Sequence, residues 1–212
     1  MIMKSISRTI ILIFLFSLSS AKASLDTSDL KIYIEKLIDE GYTTFNDPAL
    51  SDVQKNAKAR ELISSHLHLD WMANYALGRH RRVISPEKLN KFIKVYSQFV
   101  VKAYSDLSTS YNGEKAVLKN IRQIEDDMFI VNMEILRPSG QPPIKVDYLV
   151  HKLDDNKKDP YRIGDIITEG ISILNSQQAE FNSVISNRGI DALIDELRNR
   201  TEYSKKDSRN HA

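Results

Sequence analysis

The sequence predicts an α+β fold: a strongly twisted antiparallel sheet of four or more strands with helices packed on one face. Three observations predict it. Apolar residues recur at helical spacing from Ser24 to Leu107, the period changes to two between Tyr111 and Thr168, and helical spacing returns after Gly170.

The first helix spans Ser24 to Thr44. Thr27 or Ser28 caps it, and Leu30, Tyr33, Ile34, Leu37 and Ile38 form one apolar stripe that Gly41 ends. Asp52 to Leu67 is a second amphipathic helix, through Val53, Ala57, Leu62 and Ile63. Asp70 to Leu77 is a short third, closed by Gly78 and followed by the basic run Arg79-His80-Arg81-Arg82. Ser85-Pro86-Glu87 is a strong start signal: a cap, proline at the first helical position, then an acid. The helix it opens carries a wide aromatic stripe, Leu89, Phe92, Ile93, Tyr96, Phe99, Val100, Ala103, Tyr104 and Leu107, so that face must meet something large and apolar.

Four strands follow. Ala116 to Gln123 carries Val117 and Ile121, and Met128 to Arg137 sets Phe129, Val131, Met133 and Ile135 against Asn132 and Glu134. After the Pro138–Pro143 turn, Ile144, Val146, Tyr148 and Val150 alternate with Lys145, Asp147 and His151. Beyond the polar turn of Asp154 to Pro160 lies Tyr161 to Thr168, which Glu169-Gly170 breaks. Strands joined by short turns make an antiparallel meander with one polar and one apolar face. Leu174 to Ile185 and Asp191 to Leu197 are two C-terminal helices, separated at Arg188-Gly189. Helices, meander, then helices fit a cone-shaped cystatin-like or NTF2-like arrangement.

The 212 residues suffice for one domain with a core, and 27% charged against 42% hydrophobic residues is ordinary for a folded soluble protein. Residues 1–23 read as a signal peptide: Lys4 and Arg8, the apolar run Thr9 to Ser20, and the cleavage pattern Ala21-Lys22-Ala23. Residues 24–200 then form a single domain and 201–212 a polar, frayed tail. Removing Lys4, Arg8 and Lys22 takes the formal charge from +2 to −1, which argues against nucleic acid as a partner. The chain has no cysteine, which excludes thiol catalysis and thiolate metal sites.

The motifs that carry chemistry are weak. Gly170-Ile-Ser172 begins like a nucleophile elbow, but Leu174 replaces the second glycine, and Ser172 reads as a helix cap. His66 and His68 diverge at a helix end, and no histidine–carboxylate cluster supports them, His80 or His151 as metal ligands; they read as surface or capping residues. Asp165 and Glu169 lack a partner base and read as a turn-stabilising and a solvent-facing acid. The basic run at Arg79 suits lipid phosphates, an acidic partner or plain solvent equally.

One resemblance is specific. Tyr161-Arg-Ile-Gly-Asp-Ile-Ile-Thr-Glu-Gly-Ile-Ser172, then Phe181, Ile185 and Gly189-Ile-Asp-Ala-Leu-Ile194, closely resembles the C-terminal signature of the MlaC (toluene-tolerance auxiliary) family of periplasmic phospholipid carriers. Asp70 to Gly78, Ser85-Pro-Glu with Phe92, Phe99 and Tyr104, and Val146-Asp147-Tyr148 match the family's pieces in order. The chain departs where the family usually has Trp at Tyr161 and a Trp-Arg pair near Arg79–Arg82.

The resemblance implies a periplasmic monomeric shuttle and not an enzyme. Its cargo is a phospholipid, with no other cofactor and no metal. Its partners are an inner-membrane ABC complex with an MCE-domain protein and an outer-membrane lipoprotein complex. By periodicity alone Phe129, Val131, Met133, Ile135, Val146 and Tyr148 are core residues. The resemblance turns them, with Phe92, Phe99, Val100, Val117, Ile121 and Ile163, into the expected lining of a lipid cavity between the sheet and the Phe92–Tyr104 helix. Trp or Arg at Val131 or Val146 is then expected to abolish lipid binding without unfolding the protein. The alternatives are an NTF2-like periplasmic enzyme acting on a small apolar substrate through Asp165 and Tyr148, and a binding module with a solid core.

Overall fold

The computed structural model describes residues 27–153 and 159–210. The signal peptide expected over residues 1–23, most of the Asp154–Pro160 turn and the last two residues lie outside that range. Helices α1 (Ser28–Phe45), α2 (Asp52–His66), α3 (Leu69–Leu77) and α4 (Pro86–Asp106) precede the sheet. A tight 3-10 turn, Gly78–Arg82, links α3 to α4. Strands β1 (Lys115–Glu125), β2 (Met128–Leu136), β3 (Ile144–Lys152), β4 (Tyr161–Thr168) and the two-residue β5 (Ile171–Ser172) form one antiparallel sheet in sequential order. Helix α5 (Ile173–Asn210) is two helical segments that meet at a non-helical kink at Gly189 (φ 83°, ψ 168°), the break expected at Arg188-Gly189. Its helical course continues through the expected polar tail as far as Asn210.

Local chemistry sets most boundaries. Ser51 and Gln54 form a reciprocal capping box at the start of α2. The Lys88 N–H donates to Ser85 Oγ over 3.3 Å, and Pro86 fills the first helical position of α4. Ser172 is the cap expected of it: the Asn175 N–H donates to its Oγ at 2.9 Å. Glu169-Gly170 forms the short turn into β5, a strand the residue pattern did not predict.

Two expectations are corrected. Gly41 does not end α1, which runs four residues further to Phe45. A helical glycine costs only about 1 kcal/mol relative to alanine, and tertiary contact outweighs that. Val53, expected on a buried stripe of α2, is 75% exposed; Ala59 alone in that helix is buried.

One core cluster joins the helices to the inner sheet face. Phe181 of α5 meets Phe92 and Tyr96 of α4 edge-on, each at 6.1 Å, and all three rings are buried. Val131, Val150, Leu193, Ile194 and Leu197 extend this packing. The outer sheet face is polar, with Asn132 Nδ2 donating to Asp147 across the strands at 2.8 Å and Lys119 paired with Glu134. No helix of the described residues is long and apolar enough to cross a membrane.

Candidate functional site

Between α1, α2, the end of α4 and the inner face of the sheet lies a cavity of about 650 Å³. Leu37, Gly41 and Phe45 of α1 face it, as do Leu62, Ile63 and His66 of α2. Ile135, Ile144, Tyr148, Ile163 and Ile166 of the sheet line it, as do Tyr104, Tyr111 and Glu114. A second lobe of about 310 Å³ lies beyond Leu37, Gly41 and Phe45, against Ile34, Ile38, Tyr42, Ala116 and Met133. These three residues, with Tyr111, Glu114, Ile135 and Tyr148, touch both lobes. They are four apart in sequence and so run as a ridge down one side of α1. Gly41 is the low point of that ridge: a Cβ built there would meet only the Phe45 ring, at 3.9 Å.

The cavity is apolar but has a polar rim. His66 and Leu62 separate it from an outer groove along α1 and α2, which carries Lys36, Lys58 and Arg162 among Glu35, Asp39, Glu40, Glu61 and Asp159. An oily space beside a groove of mixed charge suits an amphiphile better than a wholly polar or wholly apolar ligand. Inside, the buried Tyr104 hydroxyl finds no hydrogen-bond partner among the described residues. Burial pushes its phenol well above the ordinary range, so it remains a neutral donor. Tyr148 is shifted upward for the same reason.

The histidines are better buried than the sequence suggested. His66 Nδ1 meets the Tyr33 hydroxyl at 2.8 Å, and its Nε2 stands 3.7 Å from Glu40. His68 and His151 share a hydrogen bond, Nδ1 to Nδ1 at 2.9 Å, which requires one protonated and one bare nitrogen. His151 is 5% exposed and packs edge-on against Trp71. Gly164 makes its position possible, because a Cβ there would lie 2.7 Å from the imidazole. His80 meets Asn182 instead, at 2.9 Å. Among the described residues, no group of three or more potential ligands is arranged to hold a metal.

Burial lowers the pKa of His66, His68 and His151, and the His68 charge lowers that of His151 further. Glu40, Asp70 and Asp127 oppose the shift at His66, His68 and His151 respectively, and Arg162 reinforces it at the first two. The folded state therefore binds fewer protons than the unfolded chain, whose histidines titrate near 6.5. Stability is full above that value and falls as pH drops through the lowered folded pKa values. The thermal midpoint is expected to be flat from pH 8 to 7 and to fall between 6.5 and 5.5; a midpoint that rises on acidification contradicts the assignment.

The expected lining residues separate into four groups. Ile135, Tyr148 and Ile163 line the larger lobe, and Met133 joins Ile135 and Tyr148 in the smaller. Phe92, Val100, Phe129, Val131 and Val146 are buried in side-chain packing and line neither lobe. Phe99 and Ile121 pack partly buried against that core. Val117 pairs with Glu134 on the outer face. A bulge between Leu118 and Asn120 shifts the alternation, so Ala116, Leu118 and Ile121 share the inner face and Val117 does not. Tryptophan at Val131 or Val146 would overpack solid core instead of plugging a void.

Asp165 and Glu169 serve structure. Asp165 is buried; its Oδ1 accepts from the Ile166 and Leu174 N–H groups at 2.8 and 3.1 Å, and its Oδ2 from the Ser172 hydroxyl at 2.6 Å. Glu169 Oε1 accepts from the Lys145 N–H at 2.7 Å. Asp165 latches β4 to the start of α5, and neither acid lines a lobe. The cavity walls that the sequence pattern missed are those of α1 and α2. The available signal was α2 itself, in which Leu62 and Ile63 are the large apolar residues of a weakly amphipathic helix whose one fully buried residue is Ala59.

The family model described as MlaC protein matches residues 35–199. A Haemophilus influenzae protein, the intermembrane phospholipid transport system binding protein MlaC, is 23% identical over 164 residues, covering 71% of this chain and 76% of its own. A Ralstonia solanacearum phospholipid-binding protein, solved in complex with a phospholipid, superposes with a TM-score of 0.66 at 20% identity. That match covers 81% of this chain and 96% of the other, and it shows a shared fold. The match to the family model extends from within α1 into α5, and on that evidence the chain belongs to the MlaC family.

Proposed function

We propose that this chain is a periplasmic phospholipid-binding shuttle that carries lipid between inner and outer membranes for an ABC-type transport system. The observation that carries this reading is the two-lobed apolar cavity, which the protein's own side chains leave unfilled. Each buried methylene is worth about 0.8 kcal/mol, so exposing two acyl chains of about thirty such groups costs roughly 20 kcal/mol or more. A carrier removes that barrier by enclosing the tails and leaving the headgroup in water. Lobes of about 650 and 310 Å³ fall within the roughly 300–1,000 Å³ of pockets that enclose organic ligands. One tail would lie on each side of the Leu37–Gly41–Phe45 ridge, with the headgroup at the charged rim near His66.

Four of the expected lining residues, Met133, Ile135, Tyr148 and Ile163, keep that role in this reading, joined by Leu37, Phe45, Leu62, Ile63, Tyr104, Ile144 and Ile166. The Tyr104 hydroxyl would donate to an ester carbonyl, an acceptor that the described residues do not supply. Export through residues 1–23, a single domain over 24–200 and docking onto an inner-membrane ABC/MCE-domain complex and an outer-membrane lipoprotein complex belong to the same proposal. So does carriage without catalysis.

The test is transfer of fluorescent phosphatidylethanolamine from donor to acceptor vesicles. Transfer should rise in proportion to added protein, and a rate equal to the protein-free control would refute the reading. Y104F should weaken lipid retention by about fivefold to tenfold, the value of one buried hydrogen bond of ~1 kcal/mol. Unchanged retention would remove Tyr104 from the site.

A further inference from the structure

The turn after α3 plays no part in the cavity. Arg79, Arg81 and Arg82 are exposed on it, and Val83 beside them is 80% exposed. Among the described residues no carboxylate pairs with any of the three arginines. Residues 78–95 carry three arginines and three lysines against one acid, Glu87, in a chain whose residues 24–212 sum to −1. Lys88 is already engaged with Asp191, at 2.6 Å.

A groove of about 360 Å³ adjoins this turn, between Gly78 and Arg79 on one side and Asn175, Gln178 and Asn182 of α5 on the other. Its amides are held in place. The Tyr75 hydroxyl donates to Asn175 Oδ1 at 2.8 Å, Asn182 Oδ1 meets His80 Nε2 at 2.9 Å, and Gln178 Nε2 donates to the Tyr75 carbonyl at 2.6 Å. These bonds engage the acceptor oxygens of both asparagines and leave their Nδ2 groups as donors, with the Arg79 guanidinium beside them. Among the described residues no carboxylate lines the groove, and Gln178 Oε1 is the side-chain amide acceptor left over. Two fixed amide donors, a guanidinium and one acceptor match a phosphodiester with a neighbouring hydroxyl.

We propose that the Gly78–Arg82 turn and this groove dock on the anionic face of a phospholipid bilayer. The groove holds the phosphodiester of one phosphatidylglycerol headgroup, the three arginines meet neighbouring phosphates, and Val83 inserts at the interface. A basic turn with an exposed apolar tip is the chemistry of a peripheral membrane contact. The groove shares no lining residue with the cargo cavity, so this is a second lipid contact, independent of the enclosed one.

Co-sedimentation with vesicles tests it, comparing phosphatidylcholine alone with phosphatidylcholine containing phosphatidylglycerol. The protein should bind the anionic vesicles and not the neutral ones, and lose them in high salt. R79Q/R81Q/R82Q should weaken that binding by about fivefold per arginine, on the order of a hundredfold in all. N175D/N182D keeps the acceptors for Tyr75 and His80 while turning both donors into carboxylate oxygens, and should weaken it as well. Native mass spectrometry should find the enclosed lipid unchanged in both variants, which separates this contact from cargo binding. Equal binding of the parent to both vesicles, or undiminished binding by the arginine variant, overturns the proposal. Retained vesicle binding with loss of an acidic protein partner would make the patch a protein interface and also overturn it.

Discussion

Replacing Gly41 by tryptophan is expected to empty the protein of lipid while leaving it folded. Gly41 sits at the low point between the two lobes, and the space beside it is open up to the Phe45 ring. An indole there would fill the junction that one tail must cross to reach the smaller lobe, and would crowd the other tail in the larger lobe. The change touches no residue of the packed core, and tryptophan is a better helix former than glycine by roughly 0.5 kcal/mol. Thermal stability should therefore hold or rise slightly while lipid falls from one molecule per chain to nearly none. G41A separates the two effects: it should stabilise α1 by about 0.5–1 kcal/mol and keep the lipid. A tryptophan variant that still carries a full complement of lipid would place the tails elsewhere.

The largest loss of stability is expected from D165A. The carboxylate satisfies two backbone N–H groups and one hydroxyl at the junction of β4 and α5, and its removal leaves the Leu174 N–H in a buried position without its acceptor. Hydrogen bonds to a charged group are worth about 1.5–3 kcal/mol each, with partial compensation by water, so a loss of about 3 kcal/mol is expected. For a domain of this size that lowers the thermal midpoint by roughly 6–12 °C. D165N keeps the shape and one acceptor oxygen and should fall between the two. A midpoint unmoved by D165A would show that the latch is dispensable.

The same residues explain what the sequence revealed and what it hid. Caps and periodicity located every long element: Ser85-Pro86-Glu87 opens α4, Ser172 caps α5, and alternation marks β2, β3 and β4. Errors arose where a tertiary contact overrides a local rule. Gly41 reads as a stop, yet α1 continues because Tyr42 and Phe45 still have the sheet and Tyr111 to meet. Val117 reads as inward until the bulge at Lys119 changes the phase.

The site was harder to see, because an apolar stripe looks the same whether it meets side chains or a void. Phe92, Tyr96 and Val100 carry the strongest stripe in the chain, and that stripe is filled by α5 through Phe181. The weak stripe of α2, Leu62 and Ile63, is the one left facing open space. Periodicity reports that a face is buried, and only the neighbouring element decides what buries it.

The most direct measurement is a native mass spectrum of the purified, untreated protein. An enclosed-tail carrier should fly as a single species heavier than the bare chain by one diacyl phospholipid, and that added mass should disappear in G41W. A spectrum at the bare mass, from protein exposed to membranes throughout its preparation and still folded, would contradict the account.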